Sequence, residues 1–195
     1  MPKEFFVVSG ARYEFEELIE RVEKSKRSSE KWELLMKAYN KHLAFERAHS
    51  VALNHMRDIE GAGLPQSDSS KGLTAVLQKY RDKIPEVEAV YKKERAKQLT
   101  QTVDYTIPNE RELRLEDDVQ KRIEMFSWST SFLESEIQGT EQLLTRLPGL
   151  KLNPIEKRVE DEMLKFYLQR LKLARAEVKR LYGIYISNFR VYKIL

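Results

Sequence analysis

Few residues in this chain could do chemistry. The three histidines, His42, His49 and His55, lie in one stretch. Within it, "ERAH" sets Glu46 and His49 three apart, the Glu-x-x-His spacing that holds iron in ferritin-like helical bundles. Such a centre needs a second copy on another helix and two more glutamates, and no second copy exists here. The histidines therefore read as solvated or capping-type side chains on a charged face. Ser127, Ser129 and Ser131 in "FSWSTSF" have no histidine nearby, and there is no Gly-x-Ser-x-Gly elbow to activate a serine. On a helix, those small side chains would let backbones approach closely around Trp128. Asp117 and Asp118 are adjacent, so on a helix they point to different sides. With no cysteine, thiolate metal sites, disulfides and cysteine nucleophiles are excluded. No glycine-rich phosphate loop or zinc spacing occurs. The expectation is a protein that is not an enzyme, with no cofactor, no metal and no small-molecule substrate.

The elements that carry these residues are helical. The chain has 195 residues, 34% of them charged and 41% from the apolar set, with only seven glycines and six prolines. That composition suits long helices around a core, and the length suits one domain. No apolar run reaches the roughly 18 residues of a membrane span, and "MPKEFFVVSG" is too short for a signal peptide. The expected location is intracellular and soluble, cytoplasmic or nuclear.

Periodicity and breakers divide the chain further. Residues 1–11, with "FFVVSG", read as an extended arm. A first helix follows from Tyr13, with Phe15, Leu18, Ile19 and Val22 on one face. Ser28 or Ser29 can cap a second helix from about Glu30 to Glu60. Its apolar face starts with Trp32, Leu35, Met36, Tyr39 and Leu43, then moves to Phe45, Ala48, Ala52, Met56 and Ile59 on nearly the opposite side. Residues 61–72 form an exposed loop. A third helix, Leu73 to about Thr102, should kink or break at Pro85. After a connector at 103–109, Asn109 and Glu112 resemble a capping box opening a fourth helix, whose stripe runs through Leu115, Val119, Ile123, Phe126, Leu133, Ile137 and Leu144. A turn at 148–153 leads to the last helix, with Asn153 as cap, Pro154 first and Glu156 third. The fold class expected is all-α: a single elongated domain, an antiparallel helical bundle or coiled coil of about four to five helices, ending in a long C-terminal helix.

That last helix carries the candidate binding residues. At 100° per residue, Leu164, Leu171, Val178, Tyr185 and Tyr192 centre a wide apolar stripe, flanked by Tyr167, Ala174 and Leu181 on one side and Leu168, Tyr182 and Phe189 on the other. A thinner stripe, Phe166, Leu173, Ile184 and Val191, lies roughly opposite. One packed face cannot bury both, so the helix is either sandwiched between layers, within the chain or in a homodimer, or the thinner stripe is a surface for a different protein. Arg175 falls inside the wide stripe, where it would need an acidic or interfacial partner. Lys151, Arg158, Lys165, Lys172, Lys179 and Lys193 form a third line with heptad spacing.

Charge bears on that line. The formal net charge is +4, but residues 151–195 hold eleven basic against five acidic residues, and 110–150 hold five against nine. The basic line can therefore flank a helical seam and meet acidic neighbours, or it can form a ridge that tracks phosphates. A further basic cluster is Lys79, Arg81, Lys83, Lys92, Lys93, Arg95 and Lys97.

These features lead first to a non-catalytic helical interaction protein, a scaffold or assembly subunit that binds protein partners, as homo- or hetero-oligomer, through Phe166, Leu173, Arg175, Ile184 and Val191. The alternative is a basic module gripping nucleic-acid backbone through Lys151, Arg158, Lys165, Lys172, Lys179 and Lys193. A less favoured reading is an anionic membrane surface; in size, long kinked helices and basic faces the chain is similar to the crescent-shaped BAR class.

Overall fold

A computed structural model describes the backbone of residues 3–60 and 68–192, and side chains over 10–48 and 72–186. The chain is all-α, with no strand among the described residues. Its helices are α1 (Lys3–Lys24), α2 (Ser28–Glu60), α3 (Asp68–Asp104), α4 (Glu110–Leu115), α5 (Val119–Arg146) and α6 (Pro154–Tyr192), with a 3₁₀ turn at Leu147–Gly149. The chain divides into two compact units, Met1–Lys92 and Lys93–Leu195. The reason lies in α3: Leu73, Val76, Tyr80, Ile84 and Val87 are buried among unit-one residues, whereas Leu99 and Val103 join the core of unit two.

Unit one forms on the α1 face read from sequence, with Phe15, Leu18, Ile19 and Val22 all buried. Trp32, Leu35 and Met36 of α2 are buried as well. Trp32 stacks on Tyr91 with ring centres 5.2 Å apart, and Phe15 stacks on Tyr80 at 5.8 Å. The extended arm expected at 1–11 is corrected: from Lys3 onward it is helical and continues into α1. The loop expected at 61–72 lies outside the described residues through 67, and 68–72 already belong to α3. On α2, Ala48 is exposed, and the side chains of Ala52, Met56 and Ile59 lie outside the described residues. Nor does Pro85 end α3, which runs on to Asp104. Pro85 is exposed while Ile84 and Val87 beside it are buried, so packing offsets the lost backbone bond.

Unit two is built on α5 against α6. Phe126, Leu133 and Ile137 pack with Tyr167, Leu171, Ala174, Val178 and Leu181, and Val103 and Leu113 complete the cluster. The single helix expected between Asn109 and Leu147 is two. Glu116, Asp117 and Asp118 interrupt it: Glu116 Oε1 accepts from the Asp118 N–H at 3.0 Å, and Asp118 Oδ1 accepts from the Gln120 N–H at 2.9 Å. Carboxylates that bond nearby backbone donors compete with helix, and here they cap α5 instead. Leu115, expected on the stripe, is consequently exposed, while Leu113 of the short α4 is fully buried. At the head of α6 the expected signal is realised reciprocally: the Glu156 N–H donates to Asn153 Oδ1 at 2.9 Å, and the Asn153 N–H to Glu156 Oε2 at 3.1 Å.

Candidate interaction surfaces

Among the described residues of α6, the buried ones are Val159, Met163, Tyr167, Leu171, Ala174, Val178 and Leu181. The buried arc is thus centred toward Tyr167 and Ala174, away from the Leu168 and Tyr182 flank. This rotation decides the fate of Arg175. Expected inside the apolar face, it is exposed, because it sits on the side from which the arc has turned. Tyr182, at 44% exposure, shares that edge while its ring meets Phe126 edge-on at 5.4 Å.

Of the thinner stripe, Leu173 and Ile184 are 57% and 42% exposed, and Phe166 is half-buried. The Val191 side chain lies outside the described residues. Among the basic line, Arg158 pairs with Glu162 at 3.4 Å and Lys165 with Asp161 at 2.7 Å, both within α6. Lys172 reaches across to Glu141 of α5 at 2.9 Å. Lys151 and Lys179 are exposed with no ion pair to a described residue, and Lys193 lies outside that set. In the other basic cluster, Lys83 pairs with Glu23, Lys92 with Glu88, and Arg95 with Glu160. Arg81 contacts Glu46 and His42.

His42 also departs from expectation. His42 is buried between Phe15 and Tyr80, with Nε2 at 2.5 Å from Glu46 Oε1 and 3.0 Å from Arg81. It is a polar core residue rather than a solvated one, and the Glu46 carboxylate is turned to His42. The side chains of His49 and His55 lie outside the described residues. Among the described residues, no group of three or more His, Asp or Glu is placed to hold a metal ion.

Sequence reasoning missed a groove on the surface of unit two. The end of α3 unwinds at Tyr105, where the Thr106 Oγ1–H donates to the Val103 carbonyl at 2.7 Å and the Thr106 N–H to the same oxygen at 2.9 Å. Pro108 and the Asn109 cap then turn the chain into α4, with the Arg111 N–H donating to Asn109 Oδ1 at 2.9 Å. Two cross-links hold α4 to α6: Arg114 Nε donates to the Tyr185 hydroxyl at 3.2 Å, and Arg180 pairs with Glu110 at 3.3 Å.

Between this fixed corner and α5 lies an open groove of about 970 Å³. Met125 and Ser129 of α5, Ile107 and Pro108 of the connector, and Glu112 of α4 line it, with Asp104, Tyr105 and Trp128. A shallower extension runs past Gln98 and Thr102 to Phe132. Tyr105 is 90% exposed and Trp128 59%, and the Trp128 ring stacks on Phe132 at 5.7 Å. Ser129 is buried beneath, its hydroxyl donating to the Met125 carbonyl at 3.0 Å. Trp128 was expected to be enclosed by close-packed backbones, yet it faces outward.

A sequence signal for this existed. Residues 122, 126, 129, 133, 137 and 140 are the buried ones of α5. At 100° per residue Trp128 falls about 140° from the centre of that stripe, so the bulkiest side chain stands on the helix's outer face.

Compared with known proteins, the chain matches no family model, no curated protein and no solved structure. No described helix is long and apolar enough to cross a membrane.

Proposed function

We propose that the protein is a non-catalytic interaction subunit, and that the Tyr105–Trp128 groove of unit two is a docking site for a protein partner. The observation that carries this reading is the pair of large aromatic side chains displayed beside a groove whose other walls are pinned by hydrogen bonds and ion pairs. A scattered exposed leucine needs no explanation, but clustered aromatics on a rigid corner have the composition of interface hot spots. The exposed Leu173 and Ile184 of α6 offer the partner additional apolar contact.

The phosphate-gripping alternative draws less support. Arg158, Lys165 and Lys172 are each already engaged with a carboxylate, which a polyanion would have to displace.

Photo-crosslinking tests the docking reading. A photoreactive residue replacing Trp128 in cells should yield discrete adducts. The same group at Gln142, an exposed position of α5 away from the groove lining, should not. Identical adduct patterns at the two positions, or none at either, would sink it.

A further inference from the structure

The groove has a sign as well as a shape. The chain as a whole is basic, with 35 Lys and Arg against 31 Asp and Glu. Yet the charged residues lining the groove and its extension are Asp104 and Glu112, both acidic, with no lysine or arginine. Asp104 already accepts from Arg170 through Oδ1 at 3.2 Å. Glu112 has no ion pair with any described residue, and it stands on the same groove as the Tyr105 and Trp128 rings.

A carboxylate beside exposed aromatic faces is the pairing that recognises an organic cation: the ring quadrupole attracts the cation face-on, most strongly at tryptophan, while the carboxylate supplies the counter-charge. The volume is at the upper end for a small-molecule pocket, and the groove is open with an extension, so it suits a length of chain better than a single small cation.

Resting on the docking reading above, we infer that the groove's occupant is a peptide segment of a partner protein that places an arginine or lysine side chain over Trp128 and Tyr105 against Glu112. Ile107, Pro108 and Met125 take the apolar residue beside the cation. Arginine is favoured over lysine, because its planar guanidinium can stack on the indole while donating to the carboxylate.

The test uses the full chain and short Ala/Leu/Ser peptides carrying paired arginines, paired lysines, paired glutamates or no charge, with binding read by isothermal titration calorimetry. The arginine peptide should bind about tenfold more tightly than the uncharged one, the sum of a cation–π contact and a partly exposed ion pair. Lysine should fall between them and glutamate below both. Glu112→Gln should reduce the arginine preference to about threefold and flatten its salt dependence, and Trp128→Ala should abolish it. Trp128 and Glu112 are exposed, so neither substitution threatens folding, and circular dichroism of each variant verifies this. If the uncharged or glutamate peptide binds as tightly as the arginine peptide, and Trp128→Ala weakens them all, the cation inference falls while the docking reading stands. If none of the four binds, the inference is overturned, and the crosslinking at Trp128 decides the broader reading independently.

Discussion

Tyr167 shows how a single polar contact is held inside the α5–α6 pair. Its hydroxyl donates to Glu136 Oε2 at 2.9 Å. Burial, then the hydrogen bond to Glu136 and its charge, push the phenol up to about 12 from its ordinary 10. Because the folded state favours the protonated phenol, the pair's stabilisation is fully present below about pH 10 and is lost as pH rises from there through about 12. Replacing Tyr167 with Phe should therefore lower stability to urea near neutral pH, and the deficit relative to the parent should shrink across that alkaline window. A deficit that stays constant from neutral pH to about pH 11 would show that neither burial nor Glu136 holds the phenol above its ordinary value. Tyr80 is also raised, mainly by burial, but its contribution is common to both proteins and cancels. The sequence pattern placed Tyr167 on the inner face of its helix, but the acceptor across the seam depends on the register of α5 against α6, which no local pattern encodes.

Between elements, the ends were legible where a cap is short-range and opaque where capping competes with helix continuation. Asn153, Pro154 and Glu156 spell out the start of α6, and the two reciprocal bonds form as read. Asn153 is also buried, so its removal leaves the Glu156 N–H without its side-chain acceptor in a spot shielded from water. Asn153→Ala should cost about 1 kcal/mol, within a range of about 0.5–2, measured by chemical denaturation. A change indistinguishable from zero would mean that Glu156 alone satisfies this terminus. By contrast, the "LEDDV" break between α4 and α5 was hidden, because acidic residues near a helix start read equally well as the first turn of one long helix. Pro85 misleads in the other direction: a strong breaker in isolation, it is overridden by the apolar residues on either side of it. Arg175 was misplaced for a third reason. A rotation of the buried arc by a few tens of degrees moves one edge of a wide stripe into solvent, and the sequence holds the stripe's width better than its centre.

Across the whole molecule, helical class followed from composition and period, but the division into two compact units did not. Between Tyr91 and Leu99 the run "KKERAKQ" has only Ala96 as an apolar residue and spans the point where the contacts of α3 pass from one unit to the other, but a charged run inside a helix reads equally well as a solvated face. The consequence is energetic. Apolar side chains that close their contacts within one unit should open with that unit, since regions with separate cores exchange as separate cooperative blocks. Leu171 is fully buried in the unit-two cluster, and Leu171→Ala should cost about 2–5 kcal/mol there by leaving a cavity. Followed by hydrogen exchange and mass spectrometry, the variant should lose protection in peptides from residues 93–186, including the final turns of α3. Peptides from residues 10–48 and 72–92 should keep the parent rate. Leu35→Ala, in the unit-one core, should give the mirror-image result. Equal loss of protection in both sets for either variant would mean that α3 couples the two cores into one cooperative unit, and a partner docking on unit two would then stabilise unit one as well.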